Sequence, residues 1–123
     1  MRPRFASSSP LVIAPHTSRN ISYNSGTDFA AIATVAATPS VLAVGPGSRA
    51  HTLQEFLTEA RGGPVNIASS GAGGLAHLAI EILRREVSPN ITHVPYRGGG
   101  PAATDTMAGN VQGVIVDLAA VYG

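Results

Sequence analysis

Val65-Asn66-Ile67-Ala68-Ser69-Ser70-Gly71-Ala72-Gly73-Gly74-Leu75-Ala76-His77 is the stretch that decides the fold. A short apolar run enters a glycine-rich bend and leaves it with helical periodicity, Leu75, Leu78, Ala79, Ile82 and Leu83 falling on one stripe. The spacing predicts a strand over 65–69 and a helix from Gly74. Gly71, Gly73 and Gly74 allow a sharp turn and leave the first free N–H groups of the helix unobstructed by side chains. A helix N-terminus carries roughly half a positive charge, so such a bend is a seat for a carboxylate or a phosphate. A second bend, Pro95-Tyr96-Arg97-Gly98-Gly99-Gly100-Pro101, repeats the arrangement with an arginine beside it.

The flanking sequence extends this unit in both directions. Thr52 and Glu55 have the spacing of a capping box, with Leu53, Phe56, Leu57 and Ala60 following at helical intervals. Gly62-Gly63-Pro64 should stop that helix, glycine supplying a left-handed cap and proline barring continuation. Downstream, Ser88-Pro89-Asn90 ends the glycine-rich helix, on which Glu81 stands one turn before Arg84 and Arg85. Ile91–Val94 is a strand, Pro101 suits the first turn of a third helix running to about Met107, and Val111–Val116 is a final strand. Leu118–Val121 begins another apolar segment. Upstream, Ala30–Thr38 and Ser40–Gly45 suggest strand, bend at Pro39, and strand. Residues 1–31 are rich in Ser, Pro, Asn and Thr and are expected to be irregular, with Leu11–Ala14 a short strand or a helical turn. Strands alternating with helices imply βαβ crossovers, hence an α/β fold with a mainly parallel sheet flanked by helices.

A chain of 123 residues is one domain or part of one. The net charge of +1 gives no nucleic-acid footprint and no membrane-surface patch. All 8 basic side chains are arginine, and the absence of lysine removes Schiff-base chemistry and a P-loop lysine. The absence of cysteine removes disulfides, thiolate metal sites and cysteine nucleophiles. No apolar run approaches the roughly 20 residues of a membrane span. Met1-Arg2-Pro3-Arg4 has the charge of a signal-peptide start, but Leu11–Ala14 falls short of the roughly 7–15 residues of its apolar region, so no export signal is expected in the chain as written.

Several motifs have competing readings. Gly71-x-Gly73-x-x-Ala76 matches a dinucleotide fingerprint, yet roughly 20 residues on stands Arg97 rather than an acid. Arg97 could face a 2′-phosphate, which keeps a nucleotide-binding oxidoreductase fragment as the alternative. The same bend could also be a turn that merely packs tightly. A nucleophile elbow would require glycine where Ala68 stands, and no local signature joins His16, His51, His77, His93, Asp28, Asp105 and Asp117 into a triad. The histidines have no close pairing of the kind that binds metal, so neither a metal nor a catalytic residue is expected. His77 is either bonded to Glu81 or a contact to a ligand. Arg97 is a solvated charge or a guanidinium clamp for a carboxylate. Tyr96 reads more as packing than as recognition, and Asp105 as a helix-face charge. Asp117 stands at a strand C-terminus, where open α/β sheets bind ligands. The hydroxyls of Ser69 and Ser70 could add to carboxylate binding by the helix N–H groups.

Ser69-Ser70-Gly71-Ala72-Gly73-Gly74-Leu75-Ala76-His77-Leu78, followed by His93-Val94-Pro95-Tyr96-Arg97-Gly98-Gly99-Gly100-Pro101-Ala102, by Asp105 and by Gly109-Asn110-Val111, resembles the Bug family. These are the periplasmic substrate-binding proteins of tripartite tricarboxylate transporters. Tyr23, Asp28-Phe29 and Pro39–Val44 fit the same pattern, so the resemblance runs from about residue 9 to 119. It implies a two-lobed, hinged fold of the type II periplasmic-binding class. It further implies non-catalytic capture of a small carboxylate (a di- or tricarboxylate, an amino acid or an aromatic acid) for delivery to membrane permease subunits. Ser69, Gly71, Gly73, Gly74 and His77 would form one wall of the cleft, Pro95, Tyr96, Gly98 and Gly99 the adjacent loop, and Asp117 would lie near the hinge-side strand end. The residue-level reading adds Ser70 and Arg97 to this set. No cofactor and no nucleic-acid partner are implied.

Two departures from the family pattern matter. Gly74 and Gly99 stand where serine or threonine is common, which removes two hydroxyl donors. A full member is also more than twice as long. The resemblance therefore implies a middle portion, with residues 1–31 the edge of lobe one and residues 32–123 a C-terminally truncated lobe two. Half a cleft should bind carboxylates in the millimolar range or not detectably, which keeps a truncated, non-functional fragment as a further alternative, and the open sheet edge invites pairing with a second copy.

Overall fold

β2 (Val65–Ser69) is hydrogen-bonded in parallel to β3 (Ile91–Pro95) on one side and to β4 (Gly113–Asp117) on the other, and β1 (Ser40–Val44) pairs antiparallel to β4. The sheet order is thus β1-β4-β2-β3, parallel through three strands and antiparallel at one edge. The computed structural model describes residues 4–122. Met1-Arg2-Pro3, the start of the basic N-terminal tetrapeptide, and Gly123 lie outside the described residues.

The strands carry alternating side chains to two faces, and each face has its own core. Val65 and Ile67 of β2, Ile91 of β3 and Ile115 of β4 pack on one face with Phe56 and Ala60 of α2 (Leu53–Gly62) and Ile80 of α3 (Leu75–Glu86). Ala68, Val114 and Val116 point to the other face, where Ala102 of α4 (Gly99–Met107) and Val111 cover them. Phe56, Ile67, Ile80 and Ile91 are all essentially solvent-free, and full burial of each such side chain stabilises by roughly 1.5–3 kcal/mol. The chain leaves β2 through α3 to reach β3, then returns through α4 across β2 to reach β4. Crossovers running in opposite directions place their helices on opposite faces when both are right-handed, which matches the two cores. The strand order reverses between β2 and β4, and beyond the C-terminal ends of such strands an open α/β sheet leaves a crevice.

Local signals account for most boundaries. Thr52 Oγ1 accepts the Glu55 N–H at 3.2 Å and caps α2, while Glu55 Oε2 reaches one residue further back than a standard box, to the His51 N–H at 2.7 Å. The same helix ends at Gly62-Gly63-Pro64 without the expected left-handed cap. Gly63 is fully extended, because the ring of the following proline excludes the helical region for the residue before it.

Four other expectations are corrected. Ala30–Thr38 is not a strand: its residues are exposed and outside any ladder, since no neighbouring strand among the described residues offers partners to their backbone groups. The N-terminal region is more ordered than expected: the helical-turn reading of Leu11–Ala14 holds and extends, as Ser9–Ile13 forms a π-helical turn and α1 (Ala14–Thr17) continues it. β4 begins at Gly113 rather than Val111, and Leu118–Ala120 is a 3₁₀ turn. On α3 the buried stripe is Ala76, Ala79, Ile80 and Leu83, whereas Leu75, Leu78 and Ile82 are 45%, 46% and 48% exposed.

Candidate functional site

Because β2, β3 and β4 run parallel, Ser69, Pro95 and Asp117 end at the same edge of the sheet. Both glycine bends therefore leave from adjacent strands on one side, and they are stitched together: the Tyr96 N–H donates to Ser69 O at 2.9 Å and the Gly98 N–H to Ser70 O at 3.1 Å. Gly73 (φ +78°) and Gly98 (φ +120°) adopt backbone conformations that side-chain-bearing residues rarely enter. These two glycines turn the chain into α3 and α4.

The first bend is held from within. Ser69 is fully buried; its Oγ accepts the Gly71 N–H at 3.2 Å, lies 2.9 Å from Gly71 O and 2.6 Å from His93 Nε2. One hydroxyl proton cannot serve both acceptors, so with Ser69 donating to Gly71 O the His93 Nε2–H donates to Ser69. The Gly73 N–H donates to His77 Nδ1 at 3.0 Å, which requires that nitrogen to be unprotonated. The two imidazoles stack with centroids 4.1 Å apart and planes inclined by 19°. Burial, and then the neighbouring His77, hold the His93 imidazole below the usual range, with Glu81 opposing. The expected His77–Glu81 contact is a loose one at 3.8 Å.

A further closure comes from the N-terminal turns. The Leu75 N–H donates to Ser9 Oγ at 3.2 Å, and the Thr17 hydroxyl donates to Gly73 O at 3.3 Å. Three main-chain donors of the first bend and of α3, on Gly71, Gly73 and Leu75, are thus occupied by the protein's own side chains. Among the described residues no acceptor takes the N–H groups of Ala76 and His77 at the start of α3, or of Gly99 and Gly100 at the start of α4.

The second bend turns its aromatic side chain away from this edge. Tyr96 packs on the α4-side core, and its Oη donates to Asp105 Oδ2, whose other oxygen accepts Asn110 Nδ2–H at 2.7 Å. The bond from Tyr96, then that from Asn110, hold the Asp105 carboxyl below its ordinary value, and the same bond raises the Tyr96 phenol. Asp105 is therefore a strut between bend and helix rather than a free helix-face charge. Ser70, Pro95 and Arg97 are exposed, and Asp117 Oδ1 accepts from Ser40 Oγ at 3.1 Å. Gly74 and Gly98 N-cap α3 and α4, and Gly71, Gly73, Gly98 and Gly99 remain partly accessible. Two shallow hollows, of about 400 Å³ around Leu11, Tyr23 and Ser25 and about 450 Å³ around Glu81, Arg84 and His93, contain no residue of the two bends. Among the described residues no three His, Asp or Glu side chains gather as a metal site, and no helix is long and apolar enough to cross a membrane.

His93 is the residue that the sequence did not single out. Strand alternation puts it on the same face as Ile91, and Ser69 on the same face as Ile67. Only the register that pairs Ile67 with His93 brings the two side chains together.

Comparison with known proteins completes the picture. The family model of the tripartite tricarboxylate transporter family receptor, TctC, matches residues 5–123. The chain belongs to the TctC family. A relative from Pseudomonas sp. strain P51, a UPF0065 protein of the tcbD-tcbE intergenic region, is 36% identical over 110 residues, which is 88% of this chain and 33% of the relative. Protein BugT of Bordetella pertussis is 30% identical over 118 residues, covering 94% of this chain and 36% of its own length. A solved structure described as a periplasmic transporter superposes with a TM-score of 0.87 at 30% identity, over 94% of this chain and 40% of that one. A TctC solute-binding protein from Polaromonas superposes with a TM-score of 0.62 at 29% identity, over 69% of this chain and 30% of that one. The chain thus spans about a third of the length of these relatives. TctC proteins are periplasmic solute-binding receptors, and this membership does not favour the dinucleotide reading of Gly71-x-Gly73-x-x-Ala76.

Proposed function

We propose that the chain forms one wall of a periplasmic receptor's cleft for a small carboxylate, non-catalytic, whose cargo passes to the membrane subunits of a tripartite transporter. On this reading residues 1–31 belong to the edge of a first lobe and 32–123 to the second, with Ser69, Ser70, Gly71, Gly73, Gly74 and His77 lining one loop and Pro95 to Gly99 the next. Asp117 lies at the strand end between lobes. The observation that carries the reading is the convergence of two helix N-termini on one sheet edge, with the N–H groups of Ala76, His77, Gly99 and Gly100 uncommitted. Two such ends reinforce each other's attraction for an anion. Arg97, exposed on the second bend, adds a solvent-facing positive charge beside them.

The non-catalytic part of the proposal rests on Ser69. It is the serine paired with an imidazole, but its oxygen is sealed from solvent and engaged with both backbone groups of Gly71. A nucleophile must reach its substrate, and this one does not face the edge.

Citrate and succinate titrated into the ¹⁵N-labelled protein test the reading. Saturable shifts should appear at the Ala76, His77, Gly99 and Gly100 amides, with affinity near the millimolar scale, about −4 kcal/mol, for contacts made by this one wall of the cleft. Shifts confined to other amides, or none at high concentration, would overturn it.

A further inference from the structure

We propose that His77 and His93 form a single pH-sensitive positioning device, in which the stacked neutral pair holds the Gly71–Gly74 bend in shape and a proton on His77 Nδ1 releases it. The proposal takes its consequence for binding from the carboxylate reading, but its structural content concerns the bend alone. Each ring is tied to a different part of the same bend. His77 Nδ1 accepts the Gly73 N–H at 3.0 Å, and His93 Nε2 reaches Ser69 Oγ at 2.6 Å, which in turn engages both backbone groups of Gly71. Stacking at 4.1 Å makes the two ties one unit.

A proton changes this geometry in a definite way. On His77 it occupies Nδ1, so that two donors face each other across the Gly73 contact and the bond is lost. On His93 it occupies Nδ1 and places a positive charge 4.1 Å from the second ring, so that a further proton on His77 meets direct repulsion. Among the described residues, the charged groups beside the pair come from one element. From α3 come Glu81, 3.8 Å from His77 Nε2, and Arg84, which already engages Glu81 at 3.3 Å. β2 and the bend bring Ser69, Gly71 and Gly73, and the N-terminal turns bring Ser9 and Thr17, none of which is charged. His16, next to Thr17, is exposed. The lowered His93 imidazole agrees with a ring that resists protonation in this arrangement.

Two substitutions keep the hydrogen bonds and remove the titration. His77→Asn retains an acceptor oxygen near the position of Nδ1, and His93→Gln retains an N–H donor near the position of Nε2. The experiment follows the ligand-free protein by ¹⁵N–¹H spectra between about pH 7.5 and about pH 5, the window in which imidazoles titrate. Ring ¹⁵N shifts of the wild type should report the Nε2–H form of both histidines at the upper end. The Gly73 amide should then lose its hydrogen-bonded shift in step with the His77 ring, and the double variant should show no such step. A Nδ1–H form of His77 at neutral pH, rings that titrate while the Gly73 amide stays fixed, or a step that survives in the double variant would each overturn the proposal. The first two readouts need only the wild type, so they decide the matter even where a variant fails to fold. A parallel succinate titration should show affinity falling several-fold on acidification. Absence of succinate binding at every pH would sink the carboxylate reading and leave the spectral result standing, whereas affinity that rises as the pair protonates would sink the device.

Discussion

Gly99 and Ala120 approach so closely that a β-carbon on Gly99 would stand 2.8 Å from the Cβ of Ala120. The 3₁₀ turn after β4 packs there against the first turn of α4, with Ala120 and Val121 joining the core beneath. This gives a physical reason why Gly99 departs from a hydroxyl residue: a serine or threonine has no room while the turn lies where it does. Gly74, the other departure, has more freedom, since its β-carbon would meet Ser9 Oγ at 3.3 Å.

Gly99→Ala should therefore destabilise the protein by about 1–3 kcal/mol, the usual cost of forcing an extra carbon into a filled site. Gly100→Ala, one residue on, meets nothing within 4 Å and should be neutral or stabilising by up to about 1 kcal/mol. Urea denaturation of the two variants beside the wild type separates the effects. Equal midpoints would show that the 3₁₀ turn moves aside without cost.

Tyr96→Phe removes the bond that most strongly lowers the Asp105 carboxyl and raises the Tyr96 phenol. For the depressed carboxyl, stability is present above its ordinary value of 3.8 and is lost as pH falls through the folded value. For the raised phenol, stability is present below 10.0 and is lost as pH climbs through the folded value. The stability gap between wild type and variant should thus be flat across the neutral range and shrink at both extremes. A gap that is constant through both ends would mean that the phenol–carboxylate bond contributes nothing to folding.

The alternation of strands with helices, the capping role of Thr52 and the glycine bends were all legible, because each depends on residues close together in sequence. What escaped depended on long-range partners. Ala30–Thr38 has a strand's composition, but a ladder needs a neighbour and composition cannot supply one. On α3, apolar residues occupy more than one face, so periodicity alone could not choose the buried one. The Ser69–His93 bond required the register between β2 and β3, which neither segment carries by itself. Ser9 and Thr17 reach the first bend from 66 and 56 residues away, a separation at which no local pattern operates. For the second bend, the packing role of Tyr96 was legible, but its bond to Asp105 depended on how α4 packs.

The His93 imidazole is held below 6.5 by burial and then by His77. Its folded value lies under its unfolded one, so between the two the unfolded chain binds more protons. The stability it contributes is complete above 6.5 and disappears as the pH falls through the folded value. Urea midpoints measured across that range should decline for the wild type more steeply than for His93→Gln, which has no proton to gain there. Parallel declines would assign the acid sensitivity to other groups.

The two faces of α3 offer a sharper check on the packing. Ile80 is fully buried against Phe56, Ile67 and Ile91 in the core on its side of the sheet. Ile80→Ala should cost about 2–5 kcal/mol, the transfer term plus the cavity left behind. Leu78 and Ile82 stand roughly half exposed on the outer face, so Leu78→Gln and Ile82→Gln should each stay within about 0.5–1 kcal/mol of the wild type. The periodicity stripe of Leu75, Leu78, Ala79, Ile82 and Leu83 predicts the reverse order, with the two glutamine variants the more damaging. Chemical denaturation of the three variants decides between the orders, and a large loss at Leu78 or Ile82 would place a packing partner on the face that this fold leaves open.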